Sequence, residues 1–252
     1  MNARLRYLLL QVRNTGDPMR GQEVRCFARA LGCEPEQIAV CDLLTAPPTA
    51  KLLARADVVL LGGSGDYSVA EGGAWLEDAL AAMANLHERR VPTFASCWGF
   101  QAMARAMGGE VITDLSRAEL GTIPVKLTEE GKADPVFAGP PAEFPAPMGH
   151  QDHVIRLPEG AIRLAYSDLA ENQAFRFRDC PIYCTQFHPE LDRAALRERV
   201  RAYPQYVEKV AGLTIEAFDA ACLPCPDAES LLRRFVQEVF GSASLTRPAE
   251  SE

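Results

Sequence analysis

The chain has 252 residues, of which 48% are hydrophobic, enough apolar material for one large domain that needs no disulfide or metal staple. Its 34 acidic and 26 basic side chains give a formal charge of -8 with no long run of one sign, which argues against a nucleic-acid footprint or a basic membrane arm. No stretch reaches the roughly 18 to 20 apolar residues of a spanning helix, residues 1–7 lack the pattern of a secretory leader, and the eight cysteines are scattered, so a cytoplasmic protein with reduced thiols and no membrane partner is expected.

The first half alternates short β-rich runs with segments of helical period. Strands are expected over residues 6–12, 37–43, 56–61 and 91–95, and helices over 22–31, 74–88 and 98–107. Such alternation predicts parallel strands joined by crossover helices, that is, an α/β protein. In the 74–88 segment Leu76, Ala79, Leu80, Met83 and Leu86 share one stripe, and His87 reads as an exposed residue near the helix end.

From about residue 110 to 184 the pattern breaks into strand-like runs, 122–127, 154–157, 161–166 and 174–178, separated by Pro, Gly and Asp. These are expected to extend the sheet with antiparallel strands. After Pro189 helical spacing returns over 193–209, 215–221 and 228–240, and 241–252 reads as a frayed tail. With no repeat and no linker, residues 1–240 are expected to form one domain with a helical extension over 192–240.

The segment around Cys97 runs from an apolar strand directly into a helix. A sharp turn there lifts the side chain above the sheet edge and sets it at a helix N-terminus, whose unpaired N–H groups favour the thiolate. The same N–H groups suit an oxyanion, and the backbone of Trp98 is assigned that role. Gly99 gives the turn room. A cysteine so placed still needs a base. The run Ile182 to Thr185 reads as a strand ended by Pro189, which puts His188 and Glu190 at a strand end, where α/β sites collect. An imidazole there can take the thiol proton, and a carboxylate on its other nitrogen can fix the tautomer.

Together these residues resemble a known family. Phe-Ala-Ser-Cys-Trp-Gly-Phe-Gln (94–101) and Gln-Phe-His-Pro-Glu (186–190) are similar to the two signatures of class I glutamine amidotransferases, in particular the GMP synthase-like branch. Leu-Leu-Gly-Gly-Ser-Gly (60–65), Met-Gly-Gly-Glu-Val (107–111), Glu119 with Gly121, and His150-Gln151-Asp152-His153-Val154 match further family segments in order, over about residues 5–192. The resemblance implies a flavodoxin-like α/β fold: an open, mostly parallel sheet flanked by helices, with additional antiparallel strands.

It also implies glutamine hydrolysis through a γ-glutamyl thioester, with Cys97 as nucleophile, His188 as base and Glu190 as its orienter. By the same carry-over, Gly63 supplies a second oxyanion N–H, and Gln101 with His150 and Asp152 holds the amino-acid end of the substrate. The implied partner is an ammonia-accepting synthetase subunit. Two departures stand out: Ala95 replaces a usual glycine, and the turn after Gly63 continues Ser64-Gly65-Asp66-Tyr67-Ser68 without the usual proline.

No nucleotide fingerprint is present, and neither cofactor nor metal is expected; Cys222-Leu223-Pro224-Cys225 has no second ligand pair nearby. Three readings stay open: a glutaminase, a γ-glutamyl peptidase or hydrolase acting on other γ-glutamyl amides, and a non-catalytic binding domain.

Overall fold

The computed structural model describes residues 5–241 apart from 205, 206, 208, 209, 211 and 212. Its parallel half is built from β1 (Tyr7–Gln11), β2 (Ile38–Asp42), β3 (Val58–Leu61), β4 (Thr93–Ser96) and β11 (Ile182–Thr185), in the order β2-β1-β3-β4-β11. Beyond β11 the same nine-stranded sheet continues antiparallel through β10 (Ala174–Phe177), β9 (Ala161–Tyr166), β6 (Glu119–Leu127) and β7 (Glu143–His150). A separate ribbon pairs β5 (Glu110–Thr113) with β8 (Asp152–Arg156).

The central strands are apolar on both faces because helices cover both. In β1, Leu8 and Leu10 point one way, into a core with Val59 and Leu61 and with α3 (Ala74–Glu88) and α4 (Trp98–Ala106), where Leu76, Met83, Phe100 and Met103 are buried. Tyr7 and Leu9 point the other way, towards Phe27 and Leu31 of α1 (Met19–Leu31). Three C-terminal helices follow the sheet: α6 (Arg193–Ala202), α7 (Ile215–Ala221) and α8 (Pro226–Phe240). α8 buries Leu231, Leu232, Phe235 and Val236 in the core on the α1 side, so this part of the C-terminal region is core cover. Two short helices are α2 (Ala50–Leu53) and α5 (Glu129–Ala133).

Two strands escape the sequence patterns. β7 contains Pro145 and Pro147, which argue against a strand, yet it is the sheet's edge, where a missing N–H costs no ladder bond. Pro124 of β6 lies opposite Pro145. β5 is four residues, exposed at both ends and half-buried at Val111 and Ile112, with no apolar alternation. His87 departs from its expected exposure: it is half-buried, its ring edge-to-face on Phe177 at 4.4 Å. α6 ends at Ala202, and positions 205, 206, 208 and 209 of the expected longer helix lie outside the described residues, as do positions 242–252 of the tail expected over 241–252. Among the described residues no helix is long and apolar enough to cross a membrane.

Candidate active site

β4 ends at Ser96 and α4 begins at Trp98, leaving one residue for the turn. Cys97 takes that position with φ 51° and ψ -104°, a conformation that costs a non-glycine residue about 1 to 3 kcal/mol and persists only where its surroundings hold it. Here the Cys97 N–H donates to the Thr185 carbonyl (2.8 Å), and the Gly99 N–H donates to the Gly62 carbonyl (3.1 Å). A Cβ on Gly99 would come within 2.4 Å of the Leu61 Cβ and 3.2 Å of the Ala95 Cβ, so the helix can leave this close to β3 and β4 only with glycine there. Ala95 itself is accommodated, fully buried beneath the turn.

β11 lies parallel beside β4, so its end reaches the same edge. His188 is held there by its N–H on the Pro147 carbonyl of β7 (2.9 Å). Its Nδ1 donates to Glu190 Oε1 at 2.6 Å, and the ring lines the same cleft as the Cys97 sulfur, close enough to feel its charge. The Ser96 hydroxyl donates to the other carboxylate oxygen, Glu190 Oε2, at 3.0 Å. The structure thus brings Cys97, His188 and Glu190 together in that order. Burial opposes charge on both partners of the pair and is outweighed. The Glu190 carboxylate and the Cys97 sulfur raise His188 to about 9, and the imidazolium with the nearby Arg199 lowers Glu190 to about 2.

Cys97 and His188 open on a cleft of about 260 Å³ whose lining also includes Gln101, Asp152, Arg199 and Tyr203. Gly63 and Trp98 both line it, and the Sγ lies 3.7 Å from the Gly149 carbonyl. The other three expected residues line it too, with most of their polar atoms engaged inside the protein. Gln101 Nε2 donates to the Asp152 carbonyl and to Gln186 Oε1, both at 3.1 Å. His150 reaches the same carbonyl through Nδ1 (3.1 Å) and Glu119 Oε2 through Nε2 (3.0 Å). The Asp152 carboxylate accepts from the Ser68 hydroxyl (2.6 Å), the N–H groups of Val69 (3.0 Å) and Ala70 (3.3 Å), and the Thr113 hydroxyl (2.6 Å). It therefore anchors the turn that lacks the usual proline. Trp75, stacked on Trp98 and edge-on to Tyr67, closes over the same turn.

The sequence reading gave no role to Arg199, Gln22, Arg13 or Ser96. Ser96 could have been found as the residue before Cys97. The others are polar positions in amphipathic or loop segments, and nothing local marks them. Among the described residues no cluster of three or more His, Cys, Asp or Glu side chains is arranged to hold a metal ion.

The sequence model of the family described as Glutamine amidotransferase class-I matches residues 25–200. Over 168 residues, 66% of this chain, the sequence is 32% identical to 30% of a GMP synthase [glutamine-hydrolyzing] from Streptomyces avermitilis. Over 123 residues, 49% of the chain, it is 36% identical to 64% of one subunit of the GMP synthase [glutamine-hydrolyzing] from Archaeoglobus fulgidus. The chain thus spans less than two thirds of each of these relatives. A crystal structure of a glutamine amidotransferase from Thermotoga maritima shares the fold, with a TM-score of 0.72 at 19% identity over 94% of this chain and 99% of that one. One from Methylobacillus flagellatus does so at 0.68 and 19% over 99% and 98%. With the family match covering most of its length, the chain belongs to the class I glutamine amidotransferases and is GMP synthase-like.

Proposed function

We propose that the protein hydrolyses the side-chain amide of glutamine through a γ-glutamyl thioester on Cys97. The observation that carries this reading is that Cys97 and His188 line one cleft, with Glu190 bonded to His188 Nδ1 behind it. His188 takes the thiol proton, and the sulfur attacks the amide carbon. The N–H groups of Gly63 and Trp98 receive the resulting oxyanion. The C–N bond breaks as His188 passes its proton to the nitrogen, releasing ammonia. Water then gives a proton to His188 and its hydroxyl to the thioester carbon. The C–S bond breaks, yielding glutamate, and the proton returns to sulfur.

Gln101, His150 and Asp152 form the wall against which the amino-acid end lies. Relatives that are single subunits of a GMP synthase imply a separate synthetase subunit, which is the acceptor of the ammonia, and the protein works in the cytoplasm as one amidotransferase domain over 1–240. Release of ammonia from glutamine by the wild type and its loss in Cys97→Ala tests the reading, and full activity in that variant would end it. A second reading, hydrolysis of γ-glutamyl amides with larger leaving amines, is favoured by the further lining of the cleft by Leu191, Leu196, Val200 and Tyr203, beyond the residues assigned to glutamine. It prevails if such amides are cleaved and glutamine is not.

A further inference from the structure

Glu190 is fully buried, and the triad chemistry leaves it facing a neutral ring each time His188 gives up its proton. While His188 is an imidazolium the carboxylate is compensated. When His188 has given its proton to the leaving nitrogen, the carboxylate faces a neutral ring, and a lone buried anion either is compensated by another cation or takes up a proton. A protonated Glu190 would donate to Nδ1 instead of accepting from it. That flips the imidazole to the tautomer with its proton on Nε2, which cannot serve as the base for the incoming water.

The groups around Glu190 come from four elements. On its own turn there is His188; from β4 comes the neutral Ser96 hydroxyl; from α1 come Cys26 and Arg29; and from α6 comes Arg199. Arg29 is committed elsewhere, to the Glu190 backbone carbonyl (2.9 Å), Asp192 (3.2 Å) and Glu229 (2.6 Å). Arg13, whose Nη2 would stand 3.8 Å from a Cβ on Gly63, is tied to Asp17 and Glu23. Arg199 is different. Its Nε and Nη2 both donate to Gln22 Oε1 of α1 (3.2 and 3.0 Å), which fixes the plane of the fork and leaves Nη1 3.5 Å from Glu190 Oε1 and 3.4 Å from His188 Nδ1. Among the described residues it is, with His188, the cation paired to this carboxylate.

We propose that Arg199, clamped by Gln22, is a positioning residue that keeps Glu190 anionic and aimed at His188 Nδ1 through the part of the cycle in which the imidazole is neutral. This deepens the glutaminase reading and rests on it for its kinetic consequence. The charge claim itself does not depend on any substrate. It also gives α6 a task beyond covering the core: the helix delivers one guanidinium to the triad.

Two measurements test it. With glutamine, Arg199→Gln is expected to lower kcat at least about tenfold with KM changed less than about twofold, Arg199→Lys to recover part of the loss, and Arg199→Gln in a Glu190→Gln background to add nothing. Multiplying effects in the double variant, or unchanged kcat in Arg199→Gln, would overturn the proposal. Without substrate, carboxyl-carbon NMR at neutral pH reads Glu190 in His188→Gln, where the imidazolium is removed for good. The carboxyl is expected charged there and neutral in His188→Gln with Arg199→Gln. A Glu190 that stays charged without both partners overturns the proposal even if glutamine is not the substrate, and a neutral one sustains it. Thermal unfolding of each variant separates these effects from loss of the fold.

Discussion

Gly63 lies against the edge of the His188 ring: a Cβ built on it would stand 3.0 Å from Cε1 and 3.7 Å from Nε2. That approach is closer than a methyl group tolerates, so the ring would have to shift by a few tenths of an ångström from its place beside Glu190. Gly63→Ala is therefore expected to leave the melting temperature nearly unchanged while slowing glutamine hydrolysis about tenfold or more, because small misplacements of reacting groups are costly. Steady-state kinetics beside a thermal melt checks it.

Cys97 holds its strained backbone for the sake of the sulfur's position. Cys97→Gly removes the steric penalty and is expected to raise the unfolding free energy by about 1 kcal/mol while abolishing hydrolysis; Cys97→Ala, which keeps a Cβ, should lose the activity without the gain. Urea unfolding of the two variants against the wild type reads the difference.

The His188–Glu190 pair makes stability depend on pH at both ends. His188 is raised from its ordinary 6.5 to about 9, so its contribution is complete below 6.5 and lost as pH rises through 9. Glu190 is lowered from 4.5 to about 2, so its contribution is complete above 4.5 and lost as pH falls towards 2. The stability difference between the wild type and His188→Gln with Glu190→Gln should accordingly be greatest between 4.5 and 6.5 and shrink on either side. Urea unfolding across the pH range measures it.

Asp152 accepts from four donors, three of them in the 68–70 turn. Replacing it with alanine leaves buried donors unpaired and should cost about 1 to 3 kcal/mol. The turn should become open to limited proteolysis between residues 64 and 73, and KM for glutamine should rise more than kcat falls. Cleavage elsewhere, with unaltered KM, would show that Asp152 does not secure this wall.

Much of this architecture was legible in the residue pattern because the parallel strands are buried on both faces. Runs such as Tyr7–Gln11 and Val58–Leu61 have no solvent side to blur them, and the helix stripe of Ala74–Glu88 came through with its bounds intact. β7 did not, since Pro145 and Pro147 suit only an edge, and edge position is a tertiary property. In the site, Cys97, His188 and Glu190 stood in short signatures whose backbone turns are set locally. Arg199 and Gln22 meet across 177 positions of sequence through the packing of α6 on α1, which no local pattern encodes. The roles expected of His150 and Asp152 came with the family likeness; the structure adds that their polar atoms are largely spent on Glu119, Ser68 and Thr113.

The most direct test of the central claim is mass spectrometry of the protein after exposure to 6-diazo-5-oxo-norleucine, an electrophile shaped like glutamine. The account predicts one adduct, on Cys97, that forms in step with loss of hydrolysis and is slowed by free glutamine. A folded protein left unlabelled at Cys97, or labelled instead at another of its eight cysteines, would contradict it.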